Sequence, residues 1–345
     1  MAKKRINLAL QGGGAHGAFT WGVLDRILDD EDIEIAAISG TSAGALNGAA
    51  FKAGWIEGGN AGARATLTWF WEQVGAITDG PWQQWLSDLA PTAPALAKAL
   101  EYSPLYQGFD FATRVLSPYV YGPLIENPLA KIVNDLHFDA ICADEGPVLN
   151  VCATNVRSGK IRVFSGQEVT PDTLMASACL PSLFKAVEFE DPKTGKVEAF
   201  WDGGYIGNPA LFPLFHPTLP DDILVIKINP LYRASLPVTS QEIHNRINEI
   251  SFNSSLFREL RAISFVKRLL AKGVIEQGSM KDVLVHMISD NDLMNELNVA
   301  TKTIPTPVVL TRLKEAGHAA ADKFLRDHKA DLNKTSTVDL AEMFS

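Results

Sequence analysis

Two kinds of apolar spacing alternate along the chain. Short unbroken apolar runs at residues 6–10, 35–38, 148–153, 161–165, 197–201, 222–229 and 283–289 predict strands. Between them the spacing changes to three or four. Phe19, Val23 and Ile27 place one apolar stripe on a predicted helix, and Ala45, Leu46, Ala49 and Ala50 begin a helix of small residues. A short helix is expected over 172–179 and a closing helix over 307–332. From 240 to 273 the spacing predicts a long helix, with Ile243, Ile247, Ile250, Phe257, Leu260, Ile263 and Leu270 on one face. Its other face carries Arg246, Arg258, Arg261, Lys267, Arg268 and Lys272 and reads as solvated; a helix that meets a membrane surface or a partner is the sharper alternative. The first fifty residues run strand, helix, strand, helix, which is most simply a right-handed parallel βαβ unit. The fold class is therefore α/β with a mostly parallel central sheet. Ligands of such sheets sit beyond the carboxyl ends of the strands, where two glycine-rich loops fall.

Residues 55–125 break the pattern. Trp55, Trp69, Trp71, Trp82 and Trp85 crowd together, with Pro81, Pro91, Pro94, Pro104, Pro118 and Pro123 among them. A helical insertion is expected here, either a satellite core or a lid that contacts an acyl chain. There is no internal repeat. The expected organisation is one catalytic domain over 5–345, with this insertion and a mainly helical C-terminal extension over 240–332. The tail after Lys334 is expected to fray.

Composition narrows the class. Of 345 residues, 46% are hydrophobic and 21% charged, as in a globular enzyme, and no apolar run is long enough to span a bilayer. The apolar stretch before Gln11 is too short for a signal-peptide core, so a cytoplasmic location is expected. A net charge of −9 argues against a nucleic-acid partner. Cys142, Cys152 and Cys179 are odd in number and form no CxxC pair, and they read as buried free thiols rather than metal ligands.

Three short motifs carry the candidate chemistry. Gly40-Thr41-Ser42-Ala43-Gly44 fits G-x-S-x-G, in which a serine stands on a sharp strand-to-helix turn and the flanking glycines avoid clashes. At ordinary residue usage the pattern occurs by chance in roughly one chain of this length in ten, so it needs its context of strand before and helix after. At the preceding strand end, Gly12, Gly13 and Gly14 can converge backbone N–H groups on an anion, such as the oxyanion of acyl transfer. The same letters through Gly17 also satisfy the dinucleotide fingerprint G-x-G-x-x-G. That fingerprint wants an acid at the end of the second strand, where Ser42 stands instead. Asp202-Gly203-Gly204 follows a predicted strand and offers a carboxylate base, although Asp-Gly alone is commonly a turn. None of the seven histidines is marked as a partner for Ser42; His286 and His318 are the candidates for a Ser-His-Asp arrangement.

With its GGGAHG loop, GTSAG elbow and DGG motif in this order, the chain resembles the patatin-like phospholipases. Further likeness lies in Val151 to Asn155, in Ala176 to Phe184 and in Gly207-Asn208-Pro209, so that it covers roughly residues 5–230. The resemblance implies a three-layer patatin-like fold and a Ser–Asp dyad. Ser42 would be the nucleophile, Asp202 the base, and Gly12, Gly13 and Gly14 the oxyanion hole, with no metal or cofactor required. It implies a lipid ester substrate, a phospholipid or a related lipid, and with it contact with a membrane or lipid surface. One departure is His16, where the family loop usually carries Arg or Lys. Either its protonation tunes the anion site, or it merely packs beside the loop. The competing readings are a Ser-His-Asp hydrolase and a non-hydrolytic nucleotide-binding protein.

Overall fold

A computed structural model describes residues 3–77, 127–234 and 236–344, with a few positions between 99 and 121. Trp82, Trp85 and all the prolines of the expected insertion except Pro118 lie outside the described residues. Eight strands form one sheet: β1 (Lys4–Leu10), β2 (Ile33–Thr41), β3 (Val148–Asn155), β4 (Ile161–Ser165), β5 (Val187–Asp191), β6 (Lys196–Asp202), β7 (Asp222–Ile226) and β8 (Leu284–Ile288). Their order is β5-β6-β3-β2-β1-β7-β8, with β4 added to β3. The five strands β3, β2, β1, β7 and β8 run parallel, while β4 and β6 run antiparallel to β3 and β5 antiparallel to β6. Among the predicted runs, β5 is the strand the apolar pattern misses. Its sequence alternates Val, Glu, Phe, Glu, and only one side of it is covered.

The principal helices are α1 (Gly17–Ile27), α2 (Ala43–Ala76, kinked at Gly58-Gly59), α3 (Pro171–Ser177), α4 (Ser240–Ala271), α5 (Val299–Thr303) and α6 (Pro307–His328). Period-two alternation distributes the strand side chains between two cores. Ile6, Leu8, Leu10, Leu224 and Ile226 join α1, α2 and α6 on one face; Ala9, Ala37, Ile223 and Val225 join α4 on the other. The result is helix, sheet, helix: a three-layer mixed α/β fold. Helices α1 and α6 approach closely through reciprocal glycines. A Cβ on Gly22 would lie 1.9 Å from the Lys314 carbonyl oxygen, and one on Gly317 would lie 2.0 Å from that of Phe19. Residues 55–76 continue α2, where Trp71 is buried, stacks on Trp21 and donates to Asn47 Oδ1.

Two sequence expectations are corrected here. Leu256, Leu260, Ile263 and Leu270 of α4 are buried, but Ile243, Ile247 and Ile250 are 44–57% exposed. The nine residues from Ile247 to Leu256 turn the helix by roughly 900°, half a turn out of alignment. The two sets therefore occupy different faces. The tail is also pinned rather than frayed. The N–H groups of Thr337 and Val338 donate to the Val285 carbonyl, Ser336 Oγ accepts from Val285 N–H, and Leu340 is buried.

Candidate active site

Strands β1, β2 and β6 deliver the three motifs to one place. Ser42 follows β2 and starts α2, with φ 53° and ψ −125°. This left-handed region is costly for a residue with a Cβ, by about 1–3 kcal/mol, and persists because its surroundings fix it. The Ser42 N–H donates to Ser177 Oγ at 2.9 Å, and that hydroxyl donates to the Cys152 carbonyl at 2.7 Å. Thr41 Oγ1 donates to the Gly207 carbonyl. The elbow's second glycine is enforced by packing, since a Cβ on Gly44 would meet the Leu10 carbonyl oxygen at 2.1 Å.

Asp202 ends β6 opposite Ala153 of β3. Its N–H donates to the Cys179 carbonyl, and its carbonyl accepts from Thr154 Oγ1. Asp202 is 1% exposed; Gly204 N–H donates to its carboxyl at 2.7 Å, and the Ser42 side chain is near enough to act on it. Burial pushes it up to about 7, with the Gly204 N–H and the Ser42 side chain acting in the opposite sense. It raises its neighbours in turn. Burial first, and the Asp202 charge second, lift the Cys179 thiol and the Tyr205 hydroxyl each to about 12. Cys142, Cys152 and Cys179 are all free and buried.

The glycine loop is held against the elbow, since a Cβ on Gly12 would lie 2.6 Å from Ser42 Cβ. The Gly12 N–H is already engaged, donating to Asn208 Oδ1 at 2.6 Å, and its carbonyl accepts from Asn229 Nδ2 and Asn208 Nδ2. Gly13 and Gly14 make no backbone N–H hydrogen bond among the described residues. Gly13 presses on Ile228, and Gly14, at φ 60°, lies under the Lys302 carbonyl of α5. Gln11 ties the loop to the molecule: its Oε1 accepts from the N–H groups of Ile228 and Asn229, and its Nε2 donates to the Asn208 carbonyl and Asn253 Oδ1. Asn208 N–H in turn donates to Ser255 Oγ. The motif reading missed Gln11, Asn229, Asn253 and Ser255. Gln11 and Asn229 still left a signal, as amides that directly end apolar strand runs.

His16 is 1% exposed, with Nε2 paired to Thr301 Oγ1 at 2.8 Å and Nδ1 without a partner. Burial, then the nearby Lys302 and Arg233 charges, hold it well below its ordinary range, so it stays neutral. The expectation that its titration tunes the site near neutral pH does not survive this burial. His286 lies at the middle of β8, bonded to Asp222 at the amino end of β7 and to Thr337, whereas Ser42 follows the carboxyl end of β2. His318 lies beside Asp29 on the surface. Neither meets the serine. Among the described residues no helix is long and apolar enough to cross a membrane.

No curated protein sequence matches the chain. Among solved structures, VipD from Legionella pneumophila is similar, with 16% identity over 99% of this chain and 73% of that one, at a TM-score of 0.39. The family Patatin-like phospholipase matches residues 8–215, a stretch that contains the glycine loop, the serine elbow and the aspartate turn. By that match over more than half its length, the chain belongs to the patatin-like phospholipase family, whose common activity is hydrolysis of lipid acyl esters.

Proposed function

We propose that the protein cleaves carboxylic esters of phospholipids or related lipids through a Ser42–Asp202 dyad and an acyl-enzyme, as a phospholipase A or lysophospholipase. The observation that carries this reading is the placement of Ser42, on its strained elbow, where its side chain acts on a buried carboxyl that burial pushes up to about 7. A base with that pKa can take a proton at neutral pH and still return it. Ser42 Oγ attacks the ester carbonyl carbon while its proton passes to Asp202. The N–H groups of Gly13 and Gly14, with the first turn of α2, hold the oxyanion. Gly12 supplies close approach instead, because its N–H is held by Asn208. Collapse breaks the bond to the alcohol oxygen, which takes the proton from Asp202. Water then gives its proton to Asp202 and its oxygen to the acyl carbon. The second collapse returns the proton to Ser42 and releases the fatty acid.

A mostly apolar cleft, lined by Met175, Leu183, Phe184 and Val187 with Asn127 and Lys185 at its edge, also includes Cys179, whose carbonyl accepts the Asp202 N–H, and it offers a wall for the acyl chain. A lipid-class hydrolysis panel on wild type, Ser42→Ala and Asp202→Asn tests the assignment. Both variants should lose at least a hundredfold in kcat with substrate binding retained. Equal turnover in all three proteins would remove the dyad from consideration.

A further inference from the structure

Helix α4 has one buried side and one bare side. Leu256, Leu260, Ile263 and Leu270 seat it on the sheet. On the opposite side, Ile243, Ile247, Ile250, Arg258, Arg261, Phe265 and Arg268 follow one another at helical spacing, with Ser254 between the isoleucines and the arginines. Ile247, Ile250 and Phe265 are each more than half exposed. The approach to the helix adds Tyr232, Leu236 and Val238, at 75%, 86% and 81% exposure. Solvent-exposed apolar side chains are ordinary when scattered; six in adjoining segments are not.

Charge says what covers this face. The chain carries −9 overall, yet Arg258, Arg261 and Arg268 make no ion pair among the described residues. Arg261 lies over the Phe344 ring and Arg268 over the Phe265 ring. The acids of the helix are occupied elsewhere. Glu242 caps the helix through the Thr239 and Val238 N–H groups, Glu249 is held by Arg233 and Arg246, and Glu259 turns inward to the N–H groups of Leu211 and Phe212. Burial keeps Glu259 protonated up to about 7. Lys267 is paired with Asp282. A cleft of about 470 Å³ lies along the helix, with Ile250, Phe257, Arg258 and Arg261 in its wall. The same helix touches the reaction centre: Phe252 packs on Gly204 and Tyr205, Asn253 bonds Gln11, and Ser255 bonds Asn208.

We infer that the bare side of α4, with Tyr232, Leu236 and Val238, is the surface by which the protein docks on an anionic lipid bilayer, the isoleucines entering the interface and Arg258, Arg261 and Arg268 pairing with lipid phosphates. An apolar row beside unpaired cations is the pattern of an interfacial helix. Each arginine near an anionic surface strengthens binding about fivefold, an effect lost as salt screens it. The inference rests on the lipid-ester reading above, and it names the face through which that substrate is met.

Vesicle co-sedimentation of the Ser42→Ala protein tests it without turnover. Binding is expected to vesicles of phosphatidylcholine mixed with phosphatidylglycerol, weaker to phosphatidylcholine alone, and reduced by salt. Ile247→Asp with Ile250→Asp, and separately Arg258→Glu with Arg261→Glu, should each weaken binding to the mixed vesicles at least tenfold. The same substitutions in the Ser42 protein should leave hydrolysis of a water-soluble short-chain ester unchanged, which shows that the fold is intact. Undiminished vesicle binding in both double variants overturns the inference. So does a dimer in sedimentation equilibrium that Ile247→Asp dissociates, because the face would then be covered by a second copy. Loss of the hydrolase reading would appear instead as a wild type inert on every ester while vesicle binding persists.

Discussion

Burial of the Asp202 carboxyl has an energetic cost that is independent of any role in the proposed reaction. Asp202 titrates at about 7 in the folded chain, above its ordinary value of 3.8. The proposed role as base requires it to be ionised, so kcat/KM on a soluble ester should fall about tenfold per pH unit below 7. The same shift makes it destabilising. Between roughly pH 4 and 7 the folded state holds a proton that the unfolded chain has released, so this residue's contribution to stability declines as pH rises and is fully lost above 7. Asp202→Asn keeps an acceptor for Gly204 N–H and carries no charge. Its melting temperature at pH 8 should exceed that of wild type even as its activity disappears; an unchanged or lower value would contradict the burial argument. Ser42 and Asp202 were legible as candidates because strand ends and glycines mark them. The neutrality of His16 was not, because only Thr301, 285 positions away, and the Lys302 charge reveal it.

At the scale of elements, loops are positioned by amides that no motif announces. Asn208 holds Gly12 from both sides, taking its N–H and donating to its carbonyl. Asn208→Ala would leave a buried N–H unmet, at about 1–3 kcal/mol. It should also loosen the loop, lowering kcat by about tenfold to a hundredfold with a smaller change in KM. Steady-state kinetics decide this, and a loss confined to KM would show that the loop does not depend on Asn208. The strands of the βαβ unit and the helices beside them were readable, since their apolar periods are short and unambiguous. Long α4 was readable as a helix but not in phase. Over 32 residues small errors of angle accumulate, and its isoleucines and leucines look alike in sequence while facing opposite ways.

Taken whole, the molecule closes on itself through its C-terminal end. Asn333 bonds the Asp222 carboxylate, Thr337 meets His286, and Phe344 packs against Phe257. Removing residues 334–345 would uncover β8 and the outer core, at a cost of about 2–5 kcal/mol for the loss of Leu340 alone. Thermal unfolding should shift down by several degrees, and a shortened chain as stable as the full one would refute this account of the tail. Such closure could not be read from a polar tail lacking a strong period. The contact between Gly14 and the Lys302 carbonyl has one more consequence. The family match ends at residue 215, but the roof of the glycine loop is built from residue 302. A transplant of this chemistry to another scaffold therefore has to carry a piece of chain nearly ninety residues past the recognisable motifs, or supply a substitute for that roof.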